Sequence, residues 1–391
     1  MEQPEYILMA IGLIFLLGLA TDALGRFTKL PRVTLLIVLG VFIGPQVTNL
    51  LPVDESHWFP ILANMALVMV GFLLGEKFTL QALKKYGKTI ILFSLVEVIG
   101  TAFIVACGLI ILGVKAEVSL LLGAISTATA PAATTDVVRE NQAHGFFTRI
   151  LLGIVALDDA WGLILFSLML VSVDVLIGNA GYLSAILAGG WHVGGAFLLG
   201  LTLGVPTAKL TGRIKAGEPT LIEALGVVLL CGGLALWADV SFLLASMVLG
   251  GVVANLARHH DRPFHAIEGI EWPFMILFFV FAGASLEFRS MMEMGVIGIA
   301  YIFLRIAGRF LSSWCCGLFS WAKPPLGRWM GMALMPQAGV AMGMGLLAAE
   351  HFPQLKDLIL TVVIGTTIFF ELVGPVFTRT ALFRVGEISK T

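Results

Sequence analysis

Charge is what this chain has least of. Only 13% of its 391 residues are Asp, Glu, Lys or Arg, where a soluble domain carries about a quarter, and the mean hydropathy is +0.98. That combination excludes an ordinary soluble fold. The charges nearly cancel, to a net −1, so no basic face is offered to nucleic acid. Lys and Arg are missing from Met1–Glu5, so the apolar run Tyr6–Leu19 lacks the positive flank of a cleavable signal and reads as a retained first helix. Cysteine is scarce: Cys107, Cys231, Cys315 and Cys316 all lie in apolar runs without metal-ligand spacing, which reads as buried thiols. No nucleophile–base pair and no cofactor loop stands out, which argues against an enzyme and against any bound cofactor.

What is present is a series of apolar runs. A helix needs about 20 apolar residues to cross the hydrocarbon core. Cutting at polar and Pro/Gly-rich breaks gives thirteen spans: 6–22, 31–50, 58–75, 88–112, 118–138, 150–173, 182–206, 221–238, 240–257, 273–286, 296–321, 327–349 and 358–380. With the N-terminus outside, nineteen of the 24 basic residues fall in inside loops and three in outside ones. The remaining two, Arg305 and Arg309, lie within a span. A missing or extra helix scrambles this split, so thirteen spans with N-out and C-in are expected.

The chain also matches itself. A shift of 210 pairs Val38-Leu39-Gly40 with Val248-Leu249-Gly250, and a shift of 208 pairs Gly100 with Gly308, Gly123 with Gly331 and Ala130 with Ala338. Six spans, a linker span and six more place the second half upside down relative to the first, the inverted-repeat plan of secondary transporters. The expected fold is an all-α polytopic membrane protein of about 13 transmembrane helices, built from two inverted six-helix repeats.

Asp158-Asp159 stands in the middle of the apolar run Ile150–Leu170. A charge at the bilayer centre costs at least about 2.5–3.5 kcal/mol, and ionisable groups there mark ion or proton pathways. Neighbouring helical residues diverge by about 100°, so one carboxylate can meet an ion while the other turns toward a partner. A carboxylate can hold a proton or a hard cation but not both, and that competition is what exchange requires; a static polar network is the plainer alternative. Ser126–Pro131, containing Thr127, Thr129, Ala130 and Pro131, interrupts span five, and Met335–Gly339, containing Pro336 and Gln337, interrupts span twelve. Proline removes a backbone donor, and the freed carbonyls are tolerated only where the backbone lines a cavity or is packed in protein. Two such breaks at repeat-equivalent positions point to crossed discontinuous helices rather than simple packing kinks.

Glu97 and Arg305 lie at matching depths in their spans, so an ion pair between them is expected, with Asp158 as a competing partner. Arg309 is expected to snorkel toward the inner interface. Glu371 belongs either to a proton path or to the backbone freed by Pro375. Asp22 and Asp136 read as interfacial, and His259, His260 and His265 as a solvated inside loop or a pH sensor.

Together these residues resemble the monovalent cation/proton antiporter superfamily, the sodium/proton exchangers, over essentially the whole chain. The likeness rests on Leu30-Pro31-Arg32-Val33-Thr34 running to Gly40 and Gly44-Pro45, on Phe278–Leu286, on Thr127–Pro131 and on Leu157-Asp158-Asp159. The Asp-Asp form is similar to the branch whose bacterial members are often electrogenic. The resemblance implies a homodimer in a cell (inner) membrane exchanging Na⁺ or Li⁺ for H⁺ by an elevator movement. Scaffold helices would occupy 1–87 and 221–295, a linker helix 182–220, and the ion-translocating core 88–181 and 296–391. By the family pattern Asp159 is the main carrier of the transported cation, with Asp158 beside it and Thr129 adding oxygens. Arg305 matches a family Lys or Arg that pairs with the first acid or a nearby Glu. The chain departs from many relatives at Gln337-Ala338-Gly339, where they carry an Arg or acid. No nucleotide-binding domain is expected after Thr391. K⁺/H⁺ exchange is the nearest alternative, followed by a sodium-coupled organic-anion symporter and a passive channel.

Overall fold

A computed structural model describes residues 4–28, 32–45, 47–48, 55–76, 79–178, 182–211, 220–257, 261–284, 288–318, 324–337 and 339–388. The readings above that concern Leu30, Pro31, His259, His260, Ser285, Leu286 and Ala338 fall outside these residues, as does the side chain of Asp22. Among the described residues all regular structure is helical. Within the described residues, six helices are long and apolar enough by length and composition to cross a membrane: Thr89–Ile111, Phe146–Leu176, Gly189–Leu210, Arg262–Ala284, Gly295–Leu318 and Pro353–Val385. The other apolar helices are shorter, such as Val33–Ile43 and Phe242–Leu256. Their outward faces carry large bare side chains, including Ile111, Trp237 and Val296, as lipid-facing helices do.

The chain divides into two compact units, each taking one piece from each half of the sequence. The first unit comprises Met1–Leu83 and Ile186–Leu286. It holds α1 (Pro4–Thr28), α2 (Arg32–Ile43), α3 (Glu55–Gly75), α9 (Thr220–Trp237), α10 (Phe242–Leu256) and α11 (Asp261–Ala284). Helix α2 packs on α11 and α3 on α10, and glycine makes both crossings close. A Cβ on Gly40 would overlap the Val280 carbonyl, and one on Gly250 would overlap the Phe72 carbonyl. Small residues that let helix backbones touch are the usual means of helix association in lipid. Helix α11 starts well before the expected position 273. Pro273 lies inside it, so the proline does not mark its start, and His265 sits on a helix rather than in a loop.

The second unit comprises Lys84–Ala185 and Glu287–Thr391. It holds most of α4 (Leu80–Ile111), then α5 (Ala116–Ile125), α6 (Pro131–Glu140), α7 (Phe146–Leu176), α12 (Phe288–Leu318), α13 (Pro324–Ala333), α14 (Gly339–His351) and α15 (Lys356–Val385). Helix α8 (Tyr182–Thr211) begins here and belongs to the first unit from Ile186. Gly123 of α5 lies against the α4 backbone at Ala102, and Gly331 of α13 against the α12 backbone at Arg309 and Phe310. Helix α13 packs on α12 and α15, α14 on α15, and α5 on α7.

Candidate functional site

The site begins with two interrupted helices. At the end of α5 the ladder tightens: Thr127 N–H donates to Ala124 O at 3.1 Å and Ala128 N–H to Ile125 O at 3.2 Å. Helix α6 then starts at Pro131, a favourable first position because its missing N–H has no intrahelical role there. The break leaves carbonyls without their usual donors four residues on. Pro131 cannot donate to Thr127 O, and Ala130 N–H donates across to Pro336 O at 3.0 Å instead of back to Ser126 O. The second break lies between α13 and α14, at Pro336 and Gln337. Gly374 of α15 sits directly against Pro336, and Thr378 Oγ1 donates to Ala333 O at 2.9 Å.

Two guanidiniums take up the freed carbonyls. Arg305 Nε donates to Ser126 O, Nη2 to Ala128 O and Nη1 to Met335 O, each at 2.9 Å, and its guanidinium carbon lies 4.1 Å from the Phe370 ring centre. Arg309, one helical turn on, donates through Nη2 to Thr127 O, and at 3.4 Å to Ala128 O. Cations fit where two helix C-termini, α5 and α13, point their negative dipole ends at one place. Arg305 therefore joins both breaks with a single side chain.

The carboxylates meet Arg309. Its Nη1 donates to Asp158 Oδ2 at 3.1 Å and stands 3.6 Å from Glu97 Oε1, with all three side chains fully buried. Ser313 Oγ donates to Glu97 Oε2 at 3.2 Å. This corrects two expectations. The ion pair of Glu97 is with Arg309 and not with Arg305, whose donors go to backbone carbonyls. Arg309 does not snorkel; it is 0% exposed. The reason is the break itself: Arg305 faces three unsatisfied carbonyls, and the residue one turn further faces the acids.

Asp159 follows on α7, 2% exposed, with its side chain turned by about 100° from that of Asp158. Gly162, nearly one turn later, leaves room for the Thr127 side chain, whose Oγ1 donates to Ala124 O at 2.7 Å. Thr129 is buried, and its hydroxyl makes no hydrogen bond to the described residues; the same holds for Thr101, Thr134, Ser312 and Thr367. Gln337 Nε2 makes two long contacts, to Tyr301 Oη at 3.4 Å and Ile125 O at 3.5 Å. Glu371 is buried on α15, four residues before the internal Pro375. Asp136 is exposed near the end of α6.

Arg309 is the residue that sequence reasoning misplaced, although its spacing carried the signal. Residues i and i+4 share one helix face, so Arg309 follows Arg305 into the same interior. The arrangement places a hydroxyl-rich, carboxylate-bearing centre inside a helical membrane protein, beside backbone stripped of its regular bonds. Such a centre can strip a small cation of water and return oxygens to it.

Comparison with known proteins gives the family and the fold. An ammonium/H(+) antiporter subunit, AmhT of Alkalihalophilus pseudofirmus, is 23% identical over 334 residues, covering 85% of this chain and 81% of that protein. The sodium proton antiporter MjNhaP1 of Methanocaldococcus jannaschii at pH 8 superposes with a TM-score of 0.76 at 19% identity, over 96% of this chain and 97% of that one. A structure of MjNhaP1 from an electron-microscopy map gives 0.73 at 19% identity, over the full length of both. Residues 11–384 match the family described as sodium/hydrogen exchanger, transmembrane. The chain belongs to that family and is an integral, multi-pass membrane protein.

Proposed function

We propose that this protein exchanges Na⁺, or Li⁺, for H⁺ by alternating access, with cation and proton competing at Asp159. The observation that carries the reading is the Arg309–Asp158 contact at 3.1 Å. A guanidinium stays protonated at any relevant pH, so Asp158 has a permanent cationic partner within the protein and serves as its counterpart. The exchange of occupants then falls to Asp159, with the Thr129 hydroxyl, which has no hydrogen bond to the described residues, as a further oxygen. One titrating acid gives one-for-one exchange, which moves no net charge.

The broader architecture fits the same reading. Thirteen spans arise when α5 with α6, and α13 with α14, each count as one. Inverted repeats are supported by the paired glycine crossings, since Gly40 and Gly250, and Gly123 and Gly331, meet neighbours at near-constant sequence offsets. The second unit would be the moving core and the first the dimerisation scaffold. The N-terminus would lie outside and the C-terminus inside, with the protein in a cell (inner) membrane.

The test is transport by the purified protein in liposomes. Jumps of Na⁺, Li⁺, K⁺ and NH₄⁺ across several pH values, read by a trapped pH dye and by solid-supported-membrane currents, report selectivity and charge movement together. NH₄⁺ and K⁺ are included because a relative is named an ammonium antiporter and no feature of the site sorts these ions by size. The expected result is proton flux on Na⁺ or Li⁺ jumps without sustained current, and none in Asp159→Asn that still unfolds at the wild-type temperature. Undiminished exchange in Asp159→Asn rejects the assignment. A steady current rejects the fixed role of Asp158.

A further inference from the structure

The helix that carries Asp158 and Asp159 does not cap itself. Four N–H groups at a helix start need partners from elsewhere, and the N-cap of α7 is Gly145, which has no side chain to supply one. The partner comes from the far end of the sequence. Glu387 Oε1 accepts from Phe147 N–H at 2.8 Å, and Oε2 accepts from Thr148 N–H at 2.9 Å and from Thr148 Oγ1 at 2.6 Å. A carboxylate at a helix N-terminus also meets the positive end of the helix dipole.

Local chemistry at both ends builds this contact. Helix α15 stops at Gly386, whose φ of 82° is left-handed, a conformation glycine adopts without strain. Gly386 N–H donates to Phe383 O at 3.0 Å and Glu387 N–H to Leu382 O at 3.1 Å, the bond pair that turns a chain sharply off a helix end. That turn delivers Glu387 to α7. A Cβ on Gly145 would overlap the Glu387 carboxylate, so a side chain there would push the cap aside.

We propose that Glu387 is a positioning residue for cation exchange: by capping α7 from the end of α15 it fixes where Asp158 and Asp159 stand relative to the two helix breaks. Helix α15 already seats the second break through Thr378 and Gly374. The Glu387 carboxylate ties α7 to the same rod, so the acids and the break take their positions from one helix. Asp158 lies eleven residues beyond Phe147, about 16 Å along the axis, so Glu387 acts through the helix and not on the ion. The inference rests on the reading that these acids handle the cation.

The experiment compares Glu387→Ala, Glu387→Gln and Thr148→Val in liposomes. It measures apparent KM and Vmax for Na⁺ across pH, and backbone hydrogen exchange over residues 146–152. In Glu387→Ala the first turn of α7 is expected to exchange faster. KM is expected to rise roughly 2- to 30-fold, the equilibrium equivalent of a lost helix cap, with Vmax changed less. Glu387→Gln keeps one acceptor oxygen but turns an amide NH2, which only donates, toward the other backbone N–H, and is expected to recover part of the protection and of the KM. Thr148→Val removes one bond of three and keeps the proposal testable should the alanine variant not fold; a small rise in KM is expected. Lost protection with an unchanged KM and pH profile makes Glu387 a cap without a role in transport and overturns the inference. Unchanged protection overturns it too. A wild type that exchanges none of the four cations brings down the exchanger reading and this inference together, whereas an active wild type matched by Glu387→Ala brings down the inference alone.

Discussion

The two units are made of the same kinds of helix but differ inside. Among the described residues, the buried polar and charged side chains of the first unit are Thr34 and Ser246; every other one, from Ser94 to Thr378, lies in the second. The first unit is held by backbone-to-backbone crossings at Gly40 and Gly250, where close fit provides the contact. The second gathers Glu97, Asp158, Asp159, Arg305 and Arg309 in its interior and interrupts two of its helices. Buried charge is costly and tends to be kept where it has a use. The difference is that the buried polar groups among the described residues gather almost entirely in one unit, while the other is packed chiefly by steric fit.

Arg309 offers the hardest blow to that contrast. Arg309→Met keeps an apolar shaft but strands Asp158 and Glu97 in the interior, and removing one partner of a buried ion pair costs about 3–5 kcal/mol. Thermal unfolding in detergent should show the loss, and adding Asp158→Asn should restore part of it, as coupled neighbours do. A melting temperature equal to wild type would mean that the polar interior is not what organises the second unit.

The complementary change is Gly40→Ala. The new methyl meets the Val280 carbonyl, and overpacking of this kind costs about 1–3 kcal/mol. Stability should fall while KM for the exchanged cation in the surviving molecules stays at the wild-type value. A shifted KM would show that the first unit takes part in ion handling. Thr378→Val, in the polar unit, removes one buried hydroxyl donor from Ala333 O, with an expected cost of about 0.5–1.5 kcal/mol. Here KM should move as well, because that bond seats the second break; a fall in stability with KM intact would limit Thr378 to packing.

Much of this was legible in the residues. Apolar runs marked the helices, and Pro131 and Pro336 marked the breaks, because a missing N–H and a chain buried in lipid leave few alternatives. Asp158-Asp159 stands out as a candidate because charge is rare in such a run. The pairing of the acids was not. Depth along a span does not tell which face a side chain occupies, so Arg305 was matched to Glu97 although the carbonyls freed by the breaks claim it and Arg309 meets the acids. Start positions also failed where proline sits inside a helix, as Pro273 does in α11. The Glu387 cap left no trace at all, since its partners are some 240 residues away and a Gly-Glu pair after a helix reads as an ordinary tail.

The smallest expected effect lies at the other end of α7. There Asp174 Oδ2 stands 3.0 Å from His351 Nε2 at the end of α14, with the two side chains 24% and 41% exposed. Water screens such a pair, and exposed ion pairs contribute about 0–1 kcal/mol. The two ends of one helix thus differ as the two units do: three hydrogen bonds at the start, one screened contact at the finish. Asp174→Asn should therefore lower the melting temperature by little or nothing and leave KM within about twofold, a change no larger than such a pair is worth. If it instead shifts the transport pH profile as strongly as Glu387→Ala, α7 is positioned from both ends, and α14 joins α15 in setting where the acids stand.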